Sequence, residues 1–78
     1  MGWKQSWLDL NAAETERLRR YNEDMRSGRF ALYHRDGLTG AMHDITEMEI
    51  ARNDAAVTAL GRINRRLRTK IDEEGDQD

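Results

Sequence analysis

No cysteine and no proline occurs in the 78 residues of this chain. Without cysteine there can be neither a disulfide nor a thiolate zinc site to staple a small core. Without proline the commonest helix breaker is gone, which suits long helices. No apolar run approaches the roughly 18 residues of a spanning helix, and the N-terminus lacks a secretory apolar segment, so no membrane partner is expected. A charge excess of one sign is also missing. Charged residues make up 36% of the chain, yet the net charge is −2 and the isoelectric point about 5.7. A chain so balanced has no general attraction for nucleic acid or for an anionic membrane.

A single domain of this length has a core near the lower limit for folding alone. Eight of its apolar residues are alanines, and Trp3, Trp7 and Leu8 crowd the N-terminus. With disulfides and thiolate metal excluded, association with other chains is the remaining way to cover apolar surface.

Periodicity divides the chain into an N-terminal aromatic arm (1–10), one helix–hairpin–helix domain (11–71) and an acidic tail (72–78). In the arm, Trp3 and Trp7 are four apart and would share a helical face. They either cover one end of the core or anchor the chain in a partner. Asn11 and Glu14 have the spacing of a capping box, and Leu18, Tyr21 and Met25 form a narrow stripe. Gly28 is placed to stop this first helix in the left-handed region. Asp36-Gly37 suits a type I′ turn, which sets Tyr33 opposite Gly40 and Phe30 opposite His43. Thr46 and Glu49 make a second capping box, followed by Ile50, Val57, Leu60, Ile63, Leu67 and Ile71 along a helix of roughly 38 Å. Asn53 and Asn64 interrupt that stripe, either to fix register or to lie solvated at its edge. The tail Asp72-Glu73-Glu74-Gly75-Asp76-Gln77-Asp78 has the composition of a disordered segment.

The chemistry-bearing residues give little purchase for catalysis. In the type I′ register His34 and His43 stand about 13 Å apart, too far to share a metal ion. Ser6 and Ser27 lack a histidine on a plausible nucleophile turn, and the carboxylates are interleaved with arginine as helix-face pairs. No glycine-rich phosphate loop precedes a helix. The residues predict no enzyme, no cofactor and no small-molecule substrate. The basic run Arg62, Arg65, Arg66, Arg68 is the one charge cluster, explained either by the dipole of a helix ending near Lys70 or by an acidic protein surface. Direct DNA contact is disfavoured because the adjoining acidic tail cancels much of the counterion gain.

Met25-Arg26-Ser27-Gly28-Arg29, Arg35-Asp36-Gly37, Ile45-Thr46-Glu47-Met48 and Ala51-Arg52 occur in an order and spacing that resembles the head-to-tail joining proteins of lambda-like phages, the protein W family. The resemblance covers about residues 14–67. It implies an α+β fold of two antiparallel helices packed on a two-stranded hairpin. It also implies a ring of copies in the virion, between portal and tail, that helps retain packaged DNA. Such a protein is found in the virion, and in the host cytoplasm during assembly. The alternative is a small phage-encoded protein that inhibits or regulates a host complex.

The candidate partner-binding residues are Trp3, Trp7, Arg62, Arg65, Arg66, Leu67, Arg68 and Ile71. Gly28, Asp36, Gly37, Thr46 and Glu49 are the structural turn and cap positions. A first helix of about sixteen residues cannot cover the second as far as Leu67. Residues beyond about Arg65 are therefore expected to be loose until assembly, and truncation after Asn64 to leave the isolated fold nearly intact.

Overall fold

The structure, a computed structural model, describes residues 2–76. It runs α1 (Trp3–Arg26), β1 (Tyr33–Arg35), β2 (Met42–Asp44) and α2 (Thr46–Glu74). This is the helix–hairpin–helix, α+β architecture. The helices are 24 and 29 residues long, about 36 and 44 Å, and the molecule measures 55 × 28 × 18 Å.

The helices meet along a coiled-coil seam. In α1, Lys4, Leu8, Asn11, Thr15, Leu18, Asn22 and Met25 recur at alternating spacings of four and three, and all but half-buried Thr15 are buried. Ile50, Asn53, Val57, Leu60, Asn64, Leu67 and Ile71 repeat the pattern in α2. That spacing keeps one face toward a partner helix. Among the described residues only Leu8, Leu18 and Met25 are buried large apolar residues, so packing alone aligns the pair weakly. Amide pairs supply the register. Asn53 Nδ2 donates to Asn22 Oδ1 at 2.9 Å, and Asn11 Nδ2 donates to Asn64 Oδ1 at 2.9 Å. Asn22 Nδ2 in turn reaches Asp54 Oδ1 at 2.9 Å and the Ile50 carbonyl at 3.2 Å. Both pairs fit one antiparallel register, about three turns apart, and sliding α2 by a heptad would break both. Asn53 and Asn64 are therefore register-fixing seam residues rather than solvated edge positions.

The ends of the chain differ from the sequence expectation. Helix α1 begins at Trp3, so residues 3–10 are its first turns and not a separate arm. Asn11 is a mid-helix seam residue and caps nothing. The cap comes from the far terminus: the Asp76 carboxylate accepts the backbone N–H of Gly2 at 3.0 Å, of Lys4 at 3.1 Å and of Gln5 at 3.3 Å. A Cβ on Gly2 would overlap Asp76, so this approach needs glycine. Buried Lys4 donates to the Gly75 carbonyl at 3.0 Å and lies 3.9 Å from the Glu74 carboxylate. Glu74, Gly75 and Asp76 are thus bound to the start of α1, and 72–74 are helical rather than disordered. Of the expected disordered tail, residues 77 and 78 lie outside the described residues.

Helix α1 closes on Gly28, whose φ of 82° lets Arg29 N–H reach back to the Asp24 carbonyl at 3.0 Å. Tyr21 and Phe30 then stack edge to face, with centroids 4.9 Å apart. At the other side, Leu32 N–H donates to the Thr46 hydroxyl at 3.0 Å. That hydroxyl is engaged outside the helix, so Thr46 and Glu49 do not form a capping box. Asp44 holds the helix start instead, accepting Thr46 N–H at 2.9 Å. These contacts fasten the base of the hairpin, and every strand residue remains exposed.

The hairpin register is shifted from the type I′ expectation. Tyr33 pairs with Asp44, His34 with His43 and Arg35 with Met42. Asp36 N–H and the Ala41 carbonyl extend the ladder at 2.8 Å, and Gly40 N–H returns to the Asp36 carbonyl at 2.8 Å. The loop is longer than two residues because the Asp36 carboxylate organises it, accepting N–H of Leu38 at 2.8 Å and of Thr39 at 3.2 Å. The left-handed residue is Gly40, with φ 73°, and Gly37 has no positive φ. Gly40→Val is accordingly expected to cost about 1–2 kcal/mol in thermal unfolding. Gly37→Val should stay within about 0.5 kcal/mol of the parent.

Candidate functional site

The antiparallel seam decides which exposed residues share a flank. Residues that follow the seam on one side of both helices meet across it, as Arg26 and Asp54 do at 2.7 Å. The opposite flank carries the residues just before the seam: Trp7 before Leu8, and Ile63 before Asn64. Trp3 and Leu10 lie four before and three after Trp7, on the same face of α1. All four are about half exposed or more, at 51% for Trp3, 54% for Trp7, 61% for Leu10 and 48% for Ile63. The two indoles alone leave roughly 200 Å² open, and the leucine and isoleucine bring the patch into the range that marks an interaction surface. A shallow groove between Glu14, Arg17, Ala56 and Ala59 continues the flank toward the hairpin.

The structure brings the arginine cluster to the same end of the molecule, because the start of α1 lies beside the end of α2. Arg62, Arg65, Arg66 and Arg68 are exposed and make no ion pair among the described residues. The helix dipole does not account for them. Helix α2 continues to Glu74 and its last turn holds no basic residue, and the dipole acts only within that last turn. Lys70 is different: it binds Glu74 at 3.1 Å, and its hydrogen bond, then its positive charge, hold that carboxyl below its ordinary range. Leu67 and Ile71 are half-buried in the seam, where α1 covers them instead of leaving them open for a neighbour.

At the opposite end the hairpin displays Leu38, 99% exposed, on the loop that Asp36 fixes. Tyr33 and Met42 stand exposed on the strands below it. Backbone hydrogen bonds from Leu38 and Thr39 hold the Asp36 carboxyl below its ordinary value of 3.8, and bonds from Thr46 do the same for Asp44. A depressed carboxyl stabilises the fold above its unfolded pKa, and that contribution is lost as pH falls through the lower folded value. Melting temperature is therefore expected to be flat near neutrality and to fall once pH drops below about 4.5, the ordinary value for Glu74. Asp36→Ala should remove part of that acid-dependent loss.

Leu10, Ile63 and Leu38 are exposed residues outside the candidate partner-binding set drawn from the sequence. The spacing of Leu10 from Trp7 carried a signal for the first, whereas Ile63 read as part of the buried stripe. Among the described residues no three histidine, cysteine, aspartate or glutamate side chains gather as metal ligands, and no helix is long and apolar enough to cross a membrane. Compared with protein-family models, curated proteins and solved structures, the chain gives no match.

Proposed function

We propose that this chain is a non-catalytic assembly protein that works as one of a ring of copies, in the manner of the head-to-tail connectors it resembles. In that role it sits in the virion between portal and tail, helps retain packaged DNA, and occupies the host cytoplasm while particles assemble. The observation that carries the reading is the distribution of apolar side chains. Among the described residues eight large hydrophobics are exposed and only three apolar residues are buried. A soluble chain that worked alone would gain nothing from that arrangement, whereas contacts between copies would cover the Trp3, Trp7, Leu10 and Ile63 flank.

The unpaired arginines support a protein partner with an acidic surface, such as portal or tail. Asp72, Glu73 and Glu74 directly beside them oppose the accumulation of phosphate that DNA binding needs. Mixing the protein with purified portal complexes and imaging them by electron microscopy tests the proposal. A ring of added density on the portal is expected, lost in Trp3→Ser/Trp7→Ser while the variant keeps its helical circular dichroism. A chain that ignores portals and instead captures a stoichiometric host complex would replace this reading with that of a host regulator.

A further inference from the structure

The shifted hairpin register has a chemical consequence. His34 and His43, well separated in a type I′ hairpin, are direct cross-strand partners. The Asp36–Ala41 and Ile45–Leu32 backbone bonds flank them, each two residues away along the ladder. Bonded and non-bonded pairs alternate in antiparallel sheets, so His34 and His43 are also a hydrogen-bonded pair with both side chains on one face. Their Cβ atoms stand about 5 Å apart, and both side chains are exposed. Two imidazoles from such positions can place their nitrogens about 2.0–2.1 Å from one ion.

We propose that His34 and His43 form a two-histidine chelate for a borderline divalent ion of the nickel–copper–zinc group. The donor set selects the class. Imidazole nitrogen suits these ions, and magnesium and calcium require oxygen ligands. The nearest carboxylate on this face, Asp36, is committed to the N–H groups of Leu38 and Thr39. An ion held from both strands closes a ring across the ladder, so binding and hairpin order are linked. The hairpin is where such a link matters, because neither of its faces is covered. Two protein ligands leave coordination positions for water or for a group on another molecule.

Zinc chloride titrated into the full chain at neutral pH, followed by NMR of the histidine ring protons, tests this directly. Both rings are expected to shift together, with one ion per chain, while magnesium leaves them unmoved. His34→Gln and His43→Gln should each weaken zinc binding by about tenfold or more, with helical circular dichroism unchanged. Zinc should also slow amide exchange of Asp36 and Ile45, whose N–H groups donate across the ladder, in the parent and not in either variant. Rings that respond independently, a variant that binds like the parent, or no response at millimolar zinc would overturn the proposal.

Discussion

Ending the chain after Asn64 is expected to lower the melting temperature by more than about 10 °C and to strip amide protection from residues 3–10. The cut removes Leu67 and Ile71, which face Leu8 and Lys4 across the seam, and with them the Gly75 carbonyl and the Asp76 cap. Exposing Leu8 and deleting two half-buried partners forfeits about 3–4 kcal/mol of apolar burial. Losing the cap adds about 1 kcal/mol. Folded domains of this size are stable by only about 4–12 kcal/mol, so the first turns of α1 should fray and the remainder become marginal. Asp76→Ala isolates the cap and should reproduce only the smaller part of the loss. If the truncated chain melted like the parent, the clasp between the termini would carry no stability.

Asn22→Ala should destabilise the protein by about 2–3 kcal/mol, or roughly 10–20 °C in melting temperature. Asn22 is 1% exposed, the most buried polar residue described, and it joins Asn53, Asp54 and the Ile50 carbonyl in one network. Alanine would leave the Asn53 amide buried without its acceptor and open a cavity beside it. Asn22→Leu/Asn53→Leu removes both polar partners together and should recover parental stability or exceed it. The same double variant should associate less specifically, because an apolar layer aligns with any other apolar layer. Chemical denaturation of the two variants, with sedimentation to follow association, separates register from stability.

The order of elements was legible in the sequence because it rests on local signals: the Val57, Leu60, Leu67 spacing, the glycine at position 28 and the short apolar segments around Asp36. The extent of α1 was not legible. Its seam is written in lysine, asparagine and threonine as much as in leucine, and a hydrophobic count skips Lys4, Asn11, Thr15 and Asn22. Its cap comes from Asp76, more than seventy positions away, where no local rule can find it. The hairpin register failed for a different reason. Asp-Gly matches a two-residue turn, but the Asp36 side chain captures the Leu38 and Thr39 amides and builds a wider loop. A register error in a short ladder relocates every cross-strand pair, and here it separated two histidines that the fold places side by side.

The surface was partly legible. Trp3 and Trp7 advertised a shared face by their spacing, and the arginines advertised a cluster. Their convergence at one end of the molecule depended on the antiparallel pairing of α1 and α2. Leu67 and Ile71 fall to a neighbour only if residues 1–10 form a separate arm; with α1 beginning at Trp3 they are half-buried in the seam.

Sedimentation velocity of the full chain, from the micromolar to the millimolar range, tests most directly whether the exposed flank is an assembly surface. Self-association that rises with concentration is predicted for the parent, and a monomer of about 9.1 kDa for Trp3→Ser/Trp7→Ser. A parent that sediments as a strict monomer throughout, indistinguishable from the double variant, would contradict it.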